Sequence, residues 1–165
     1  MFAITRSMIR NLALLFAAFL LLQYASAQSK YAGAMKKMVG KSYVTDSDLH
    51  DLKGWEFRAG DVITPFDDPE MMTLSVYKKG STYVVVAGYK EDTASAESVV
   101  ADVLEIKSVP KGWEPKTAFC RDNKIENIEI VAVVKEVPNQ EILKPASRAW
   151  RFNRDKKRFE AISVK

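Results

Sequence analysis

Apolar positions along the chain change period twice. They are continuous over 12–22, eleven residues from Leu12 to Leu22. After Gln28 they recur at helical spacing: Tyr31, Ala32, Met35 and Met38 form a stripe, Lys36, Lys37 and Lys41 lie off it, and Gly40 is a stop signal. This predicts an N-terminal helix. A second short helical turn is predicted over 46–52, capped by Thr45 or Ser47, with Asp46 and Asp48 at its positive end and Gly54 closing it.

From Trp55 the period is two. The runs 72–77 and 83–87 flank Lys79-Gly80-Ser81 and predict a hairpin. The run 98–109 is apolar on both faces, with Val99, Ala101 and Val103 on one and Val100, Leu104 and Ile106 on the other. That predicts a central strand covered on each side. Residues 128–134 are β-branched almost throughout, and Pro138-Asn139 ends that strand. A last hairpin is predicted from Trp150 and Phe152 through a charged turn to Phe159 and Ile162. Without glycine its loop should hold four or five residues. Short connections between consecutive strands predict an antiparallel sheet of about five to seven strands with the N-terminal helix across one face, an α+β domain. A small barrel or sandwich is the alternative; it would leave the N-terminal segment without a partner. Lys-Gly-Trp-Glu at 53–56 recurs at 111–114, each copy before a strand, and reads as a repeated turn followed by an aromatic plug.

Composition narrows the class. Of 165 residues 47% are apolar, so the chain is not intrinsically disordered. One cysteine and one histidine exclude an internal disulfide, an iron–sulfur cluster and a multi-cysteine zinc site built by this chain alone, and no cofactor is expected. The first 27 residues have the order of an export signal: Arg6 and Arg10, the apolar run, then Ala25-Ser26-Ala27 with small side chains at the cleavage positions. Eleven apolar residues are too few for the ~20 of a membrane span. The expectation is therefore a signal peptide over 1–27 and one globular domain over 28–165, exported to the periplasm or the medium, with no membrane span once the signal is removed.

Charge is uneven. The formal net charge is +4, from 25 basic and 21 acidic residues. The last 22 residues hold eight basic and two acidic side chains, whereas 28–143 hold 15 and 19. Trp150, Phe152 and Phe159 interleave these cations. Arg148, Arg151 and Arg154 are the candidate face for an anionic partner; strand alternation alone would give the same pattern, aromatics inward and cations in solvent. For an exported chain the partner is an anionic envelope polymer or a protein, not nucleic acid.

Other candidates offer less. His50 has Asp46, Asp48 and Asp51 around it, but the cluster is local and lacks a nucleophile, so it reads as a solvated helix face. Asp61, Asp67, Asp68 and Glu70, with Pro65 and Pro69 interleaved, lack the spacing of a calcium loop and read as turn formers. Cys120 is buried and inert, bonded to another chain, or separated from its partner.

Residues 119–121, Phe-Cys-Arg, together with 128–135, Arg148-Ala149-Trp150-Arg151-Phe152 and Arg158-Phe159-Glu160-Ala161-Ile162, form an ordered set. It resembles the C-terminal half of small exported bacterial proteins of unassigned function. The resemblance implies a second cysteine shortly after the last strand, pairing with Cys120; here Lys165 is the final residue. It implies no substrate. The functional expectation is an exported, non-enzymatic binding or interaction domain. An envelope hydrolase of unfamiliar type is the alternative.

Overall fold

The longest apolar runs form the longest strands. A computed structural model describes residues 33–64, 70–117, 120–122, 125–137 and 146–164. The proposed signal over 1–27, Tyr31 and Ala32 of the helical stripe, Asp67 and Asp68 with their flanking prolines, Phe119 and the Pro138-Asn139 break lie outside these residues. From Ala34 onward the chain is one compact unit.

Five strands form the first sheet: β1 (Ser42–Tyr43), β2 (Glu56–Val62), β3 (Met71–Lys79), β4 (Thr82–Lys90) and β5 (Ser98–Ile106). Their order is β1-β5-β4-β3-β2, all antiparallel. The predicted β3–β4 hairpin is present, with Lys79 opposite Thr82 and Gly80 at φ +60° in the two-residue loop, a conformation that favours glycine. The remaining strands are β6 (Trp113–Lys116), β7 (Arg121–Asp122), β8 (Ile125–Glu126), β9 (Ile130–Lys135), β10 (Ala146–Asn153) and β11 (Arg158–Ile162). The second sheet runs β11-β10-β9-β6, and β7 and β8 pair as a separate short ribbon. The β10–β11 loop has four residues, with Lys157 at φ +47° and the Asn153 Oδ1 accepting from the Lys156 N–H at 3.0 Å.

The two sheets pack face to face. Met72, Leu74 and Val76 of β3, Val85 of β4 and Leu104 and Ile106 of β5 meet Val131 and Val133 of β9 and Trp150 and Phe152 of β10 in one buried core. Phe159 of β11 contacts the Phe152 ring edge-on at 5.2 Å. Both outer faces are apolar as well. The second sheet presents Ile130, Ala132, Val134 and Ala149 outward, with Cys120 packed on them. The first presents Tyr77, Val84, Val86, Val100 and Val103 to Met35, Met38, Leu49 and Leu52.

Side chains close the two open sides between the sheets. Asp102 of β5 accepts from the Phe159 N–H of β11 at 2.8 Å and from the Lys36 ammonium. On the other side the Thr117 hydroxyl donates to Asp61 of β2, and Arg58 of β2 lies 3.8 Å from Glu114 of β6. Among the described residues no backbone ladder joins β5 to β11 or β2 to β6. The result is a flattened, barrel-like sandwich.

The α+β expectation is therefore overturned. The protein is mainly β, with two antiparallel sheets, and among the described residues no N-terminal α-helix lies across a sheet. The longest helical stretch among the described residues is the 3₁₀ turn Ala34–Met38, followed by the shorter turns Asp46–Asp48 and His50–Leu52. The error has a physical source. Met35 and Met38 are buried as the stripe required, but an i,i+3 pair shares a face in a 3₁₀ turn as well as in an α-helix. Gly40 at φ +82° then ends the turn, and the Gly40 N–H and the Lys41 carbonyl both pair with Val100 of β5. The argument against a sandwich fails too, because the N-terminal turns have a partner: the outer face of the first sheet.

The repeated Lys-Gly-Trp-Glu segments share a glycine in the left-handed region, Gly54 at φ +79° and Gly112 at +80°. Their tryptophans differ in destination. Trp55 packs in the outer cluster of the first sheet, and Trp113 against the inter-sheet core.

Candidate functional site

Strand alternation separates the three arginines of the predicted cationic face. Trp150 and Phe152 point into the core, which places Arg151 on the outer side of β10. Arg148 lies nearer the other end of the strand, where its guanidinium donates to the Lys107 carbonyl at 3.2 Å. Arg151 and Arg154 do come together, along a cleft of about 500 Å³ beneath the β10–β11 turn. Lys157, which strand alternation put in solvent, is its third cation, and Glu70, read from sequence as a turn former, joins Glu129 and Asp155 as its carboxylates. Lys157 is engaged on both sides: its ammonium is 3.2 Å from Glu70 and 3.7 Å from the centroid of the Tyr89 ring. On the exposed side of the hairpin, Lys156 and Arg158 contact Glu160 at 3.0 and 3.1 Å. With the Asn153 amide they hold its carboxyl down at about 2. The hairpin is thus a mixed-charge surface and not a uniform cationic face.

His50 and Cys120 are not brought together. His50 is exposed on a 3₁₀ turn at the first sheet's outer face, whereas Cys120 packs on the outer face of the second. The carboxylates near His50 have other partners. Asp51 receives Lys37 and Lys41 at 2.8 and 2.6 Å, which hold its carboxyl below the usual range. Asp48 accepts from the Thr45 and Val44 N–H groups at 2.8 and 2.9 Å, with the same effect.

The Cys120 thiol is half-buried and free, its Sγ 3.6 Å from the Lys116 carbonyl. Burial pushes it up to about 11. Its alkylation by iodoacetamide at pH 8 should therefore run about 100-fold slower in the folded chain than in urea. Equal rates in the two states would refute the buried placement.

A second cleft, of about 240 Å³, lies on the outer face of the first sheet. Hydroxyls from β1, β3 and β5 line it: Tyr43, Thr73, Ser75 and Ser98. The Tyr43 hydroxyl is hydrogen-bonded to Thr73 and Ser98, and Tyr77 to Asp46 and Ser75. Burial, helped by the nearby Asp46 carboxylate, raises both phenols above their ordinary value. No sequence motif marks this cleft, because its members are spread from 43 to 98 and meet only through strand pairing.

Among the described residues no group of three or more histidine, cysteine and carboxylate side chains is placed to hold a metal. Among them, too, no helix is long and apolar enough to cross a membrane. No family model, curated protein or solved structure matches the chain. The resemblance of the C-terminal half thus rests on its residues alone, and neither export nor binding gains support from these comparisons.

Proposed function

We propose that the chain is an exported, non-enzymatic binding domain that contacts a protein partner through the cleft beneath the β10–β11 turn. One observation carries the reading: Arg151, Arg154 and Lys157 line that cleft together with Glu70, Glu129 and Asp155. Three cations alone would suit a polyanion. Three carboxylates in the same cleft oppose one, since like charges brought together cost as much as opposite charges gain. A polypeptide segment carrying both signs meets each set with its opposite. An anionic polymer is therefore the weaker form of the expectation, and the hydrolase alternative cannot combine His50 with Cys120, which pack against different sheets.

The test is a titration of the isotope-labelled chain, followed by its amide resonances, with a peptide of alternating lysine and glutamate and, separately, with heparin. The peptide should shift the amides of the 153–158 turn and of Glu129. Replacing Arg151 and Arg154 by alanine should weaken it about tenfold, the loss of roughly 1.4 kcal/mol. Heparin binding with no response to the peptide would overturn the protein-partner reading in favour of a polyanion. No shift with either would remove the cleft as a site.

A further inference from the structure

We propose that the cleft beside Tyr43, on the outer face of the first sheet, is a saccharide-binding site. It is independent of the hairpin reading.

The lining sets the ligand's charge. The cleft holds four hydroxyls and the Asp46 carboxylate, and no lysine or arginine lines it; the Asp61 carboxylate is turned to Thr117, between the sheets. An anion would meet the Asp46 carboxylate with no counter-charge. A hard divalent cation would want six to eight oxygens in its shell. Here the one carboxylate, Asp46, already accepts from the Tyr77 hydroxyl. What fits is a neutral ligand rich in hydroxyl groups, which donate to carboxylates and both donate to and accept from serine and threonine.

The rim sets its shape. Phe57 is 54% exposed, and its ring stands edge-on to Tyr77, centroids 5.7 Å apart. Val62, 55% exposed, lines the cleft, and Val44, 61% exposed, sits in the chain between the lining residues Tyr43 and Asp46. An exposed aromatic ring beside a hydroxyl-lined floor matches a sugar ring, which has an apolar C–H face and a polar edge. An open-chain polyol has the hydroxyls without the face.

Two glycines let the Phe57 and Tyr43 rings lie close against the sheet. Gly60 and Gly88 lie inside strands, where glycine weakens the sheet and commonly marks a bulge or a close approach. A Cβ on Gly60 would come within 3.1 Å of the Phe57 ring, and one on Gly88 would collide with the Tyr43 hydroxyl. At about 240 Å³ the cleft is smaller than a typical pocket for a drug-sized ligand, ~300–1,000 Å³. It therefore takes one unit of a longer glycan, the rest remaining in solvent.

The test is an amide-resonance titration of the full chain with neutral hexasaccharides of β-glucan, α-glucan, mannan and chitin type, with sorbitol as the open-chain polyol. At least one hexasaccharide should shift amides near Tyr43, Gly60, Thr73 and Ser75, and sorbitol should not. Phe57→Ala should weaken binding about tenfold while Phe57→Trp keeps it. Phe57 is exposed, so both variants should fold, with unchanged far-ultraviolet dichroism. The proposal is overturned if no hexasaccharide shifts these amides, if sorbitol binds as well, or if Phe57→Ala binds like wild type.

Discussion

Asp102→Ala should destabilise the protein by about 3 kcal/mol, more than any other single polar replacement proposed here. Asp102 is 4% exposed, and three donors converge on its carboxylate: the Lys36 ammonium, the Phe159 N–H at 2.8 Å and its own neighbour's Val103 N–H at 2.8 Å. Removing a charged acceptor from a buried position strands donors that were desolvated for it. The Lys36 side chain is 42% exposed and can return to water, which keeps the cost at the lower end of the range for a buried pair. The Phe159 amide has no such route, because its strand is pressed against the inter-sheet core. With a urea dependence of ~2 kcal/mol per molar, the unfolding midpoint should fall by about 1.5 M at unchanged slope. Asp102→Asn can still accept from Phe159 but cannot pair with Lys36 as an ion, and should lie between the two. A loss below about 1 kcal/mol for the alanine variant would mean that apolar contacts alone hold β11 beside β5.

That clasp was invisible in the sequence because its donors lie 66 and 57 residues away, at Lys36 and Phe159, and a bulge also regrouped the faces of β5. Simple alternation groups Val103 with Val99 and Ala101. In the structure the register shifts where Ala87 faces Asp102 and Gly88 faces Val100, leaving Ala101 as the extra residue. Val103 then joins Val100 on the outer face, and Ala101 joins Leu104 and Ile106 inside. Elements defined by local pattern were legible: both hairpins, the central β5 with apolar groups on each face, and the buried Met35–Met38 pair. What decided the fold class was not local. A five-residue 3₁₀ turn and a longer helix share their i,i+3 signature, and whether a second sheet covers the first depends on contacts between 72–76 and 131–152. The same holds for the sites. Arg151, Arg154 and Asp155 could be named from one run of sequence, but Glu70 and Glu129 beside them come from before β3 and before β9.

Gly88→Ala is the second large effect, expected at about 2 kcal/mol and opposite in sign to the usual result of replacing an unstrained glycine. Gly88 does not occupy the left-handed region, so alanine would ordinarily stabilise by ~0.4–1 kcal/mol through the unfolded chain. Here the new Cβ would sit 2.1 Å from the Tyr43 hydroxyl and 3.0 Å from the Thr73 Oγ1. Thr73 is on the neighbouring strand, directly opposite Gly88, and has little room to withdraw. Tyr43 must therefore swing out, giving up its bonds to Thr73 and Ser98 and its place beside the outer cluster. Steric insertion of this kind costs ~1–3 kcal/mol. A double-mutant cycle identifies the cause. Tyr43→Phe removes the colliding oxygen while its ring carbon stays 3.2 Å from the added methyl. In that background Gly88→Ala should cost about 1 kcal/mol less than in wild type. Additive losses in the cycle would place the strain at Thr73 or in the β4 backbone instead. Displacing Tyr43 also dismantles one wall of the hydroxyl-lined cleft, so Gly88→Ala should abolish the resonance shifts produced by a hexasaccharide while leaving the response at the 153–158 turn intact.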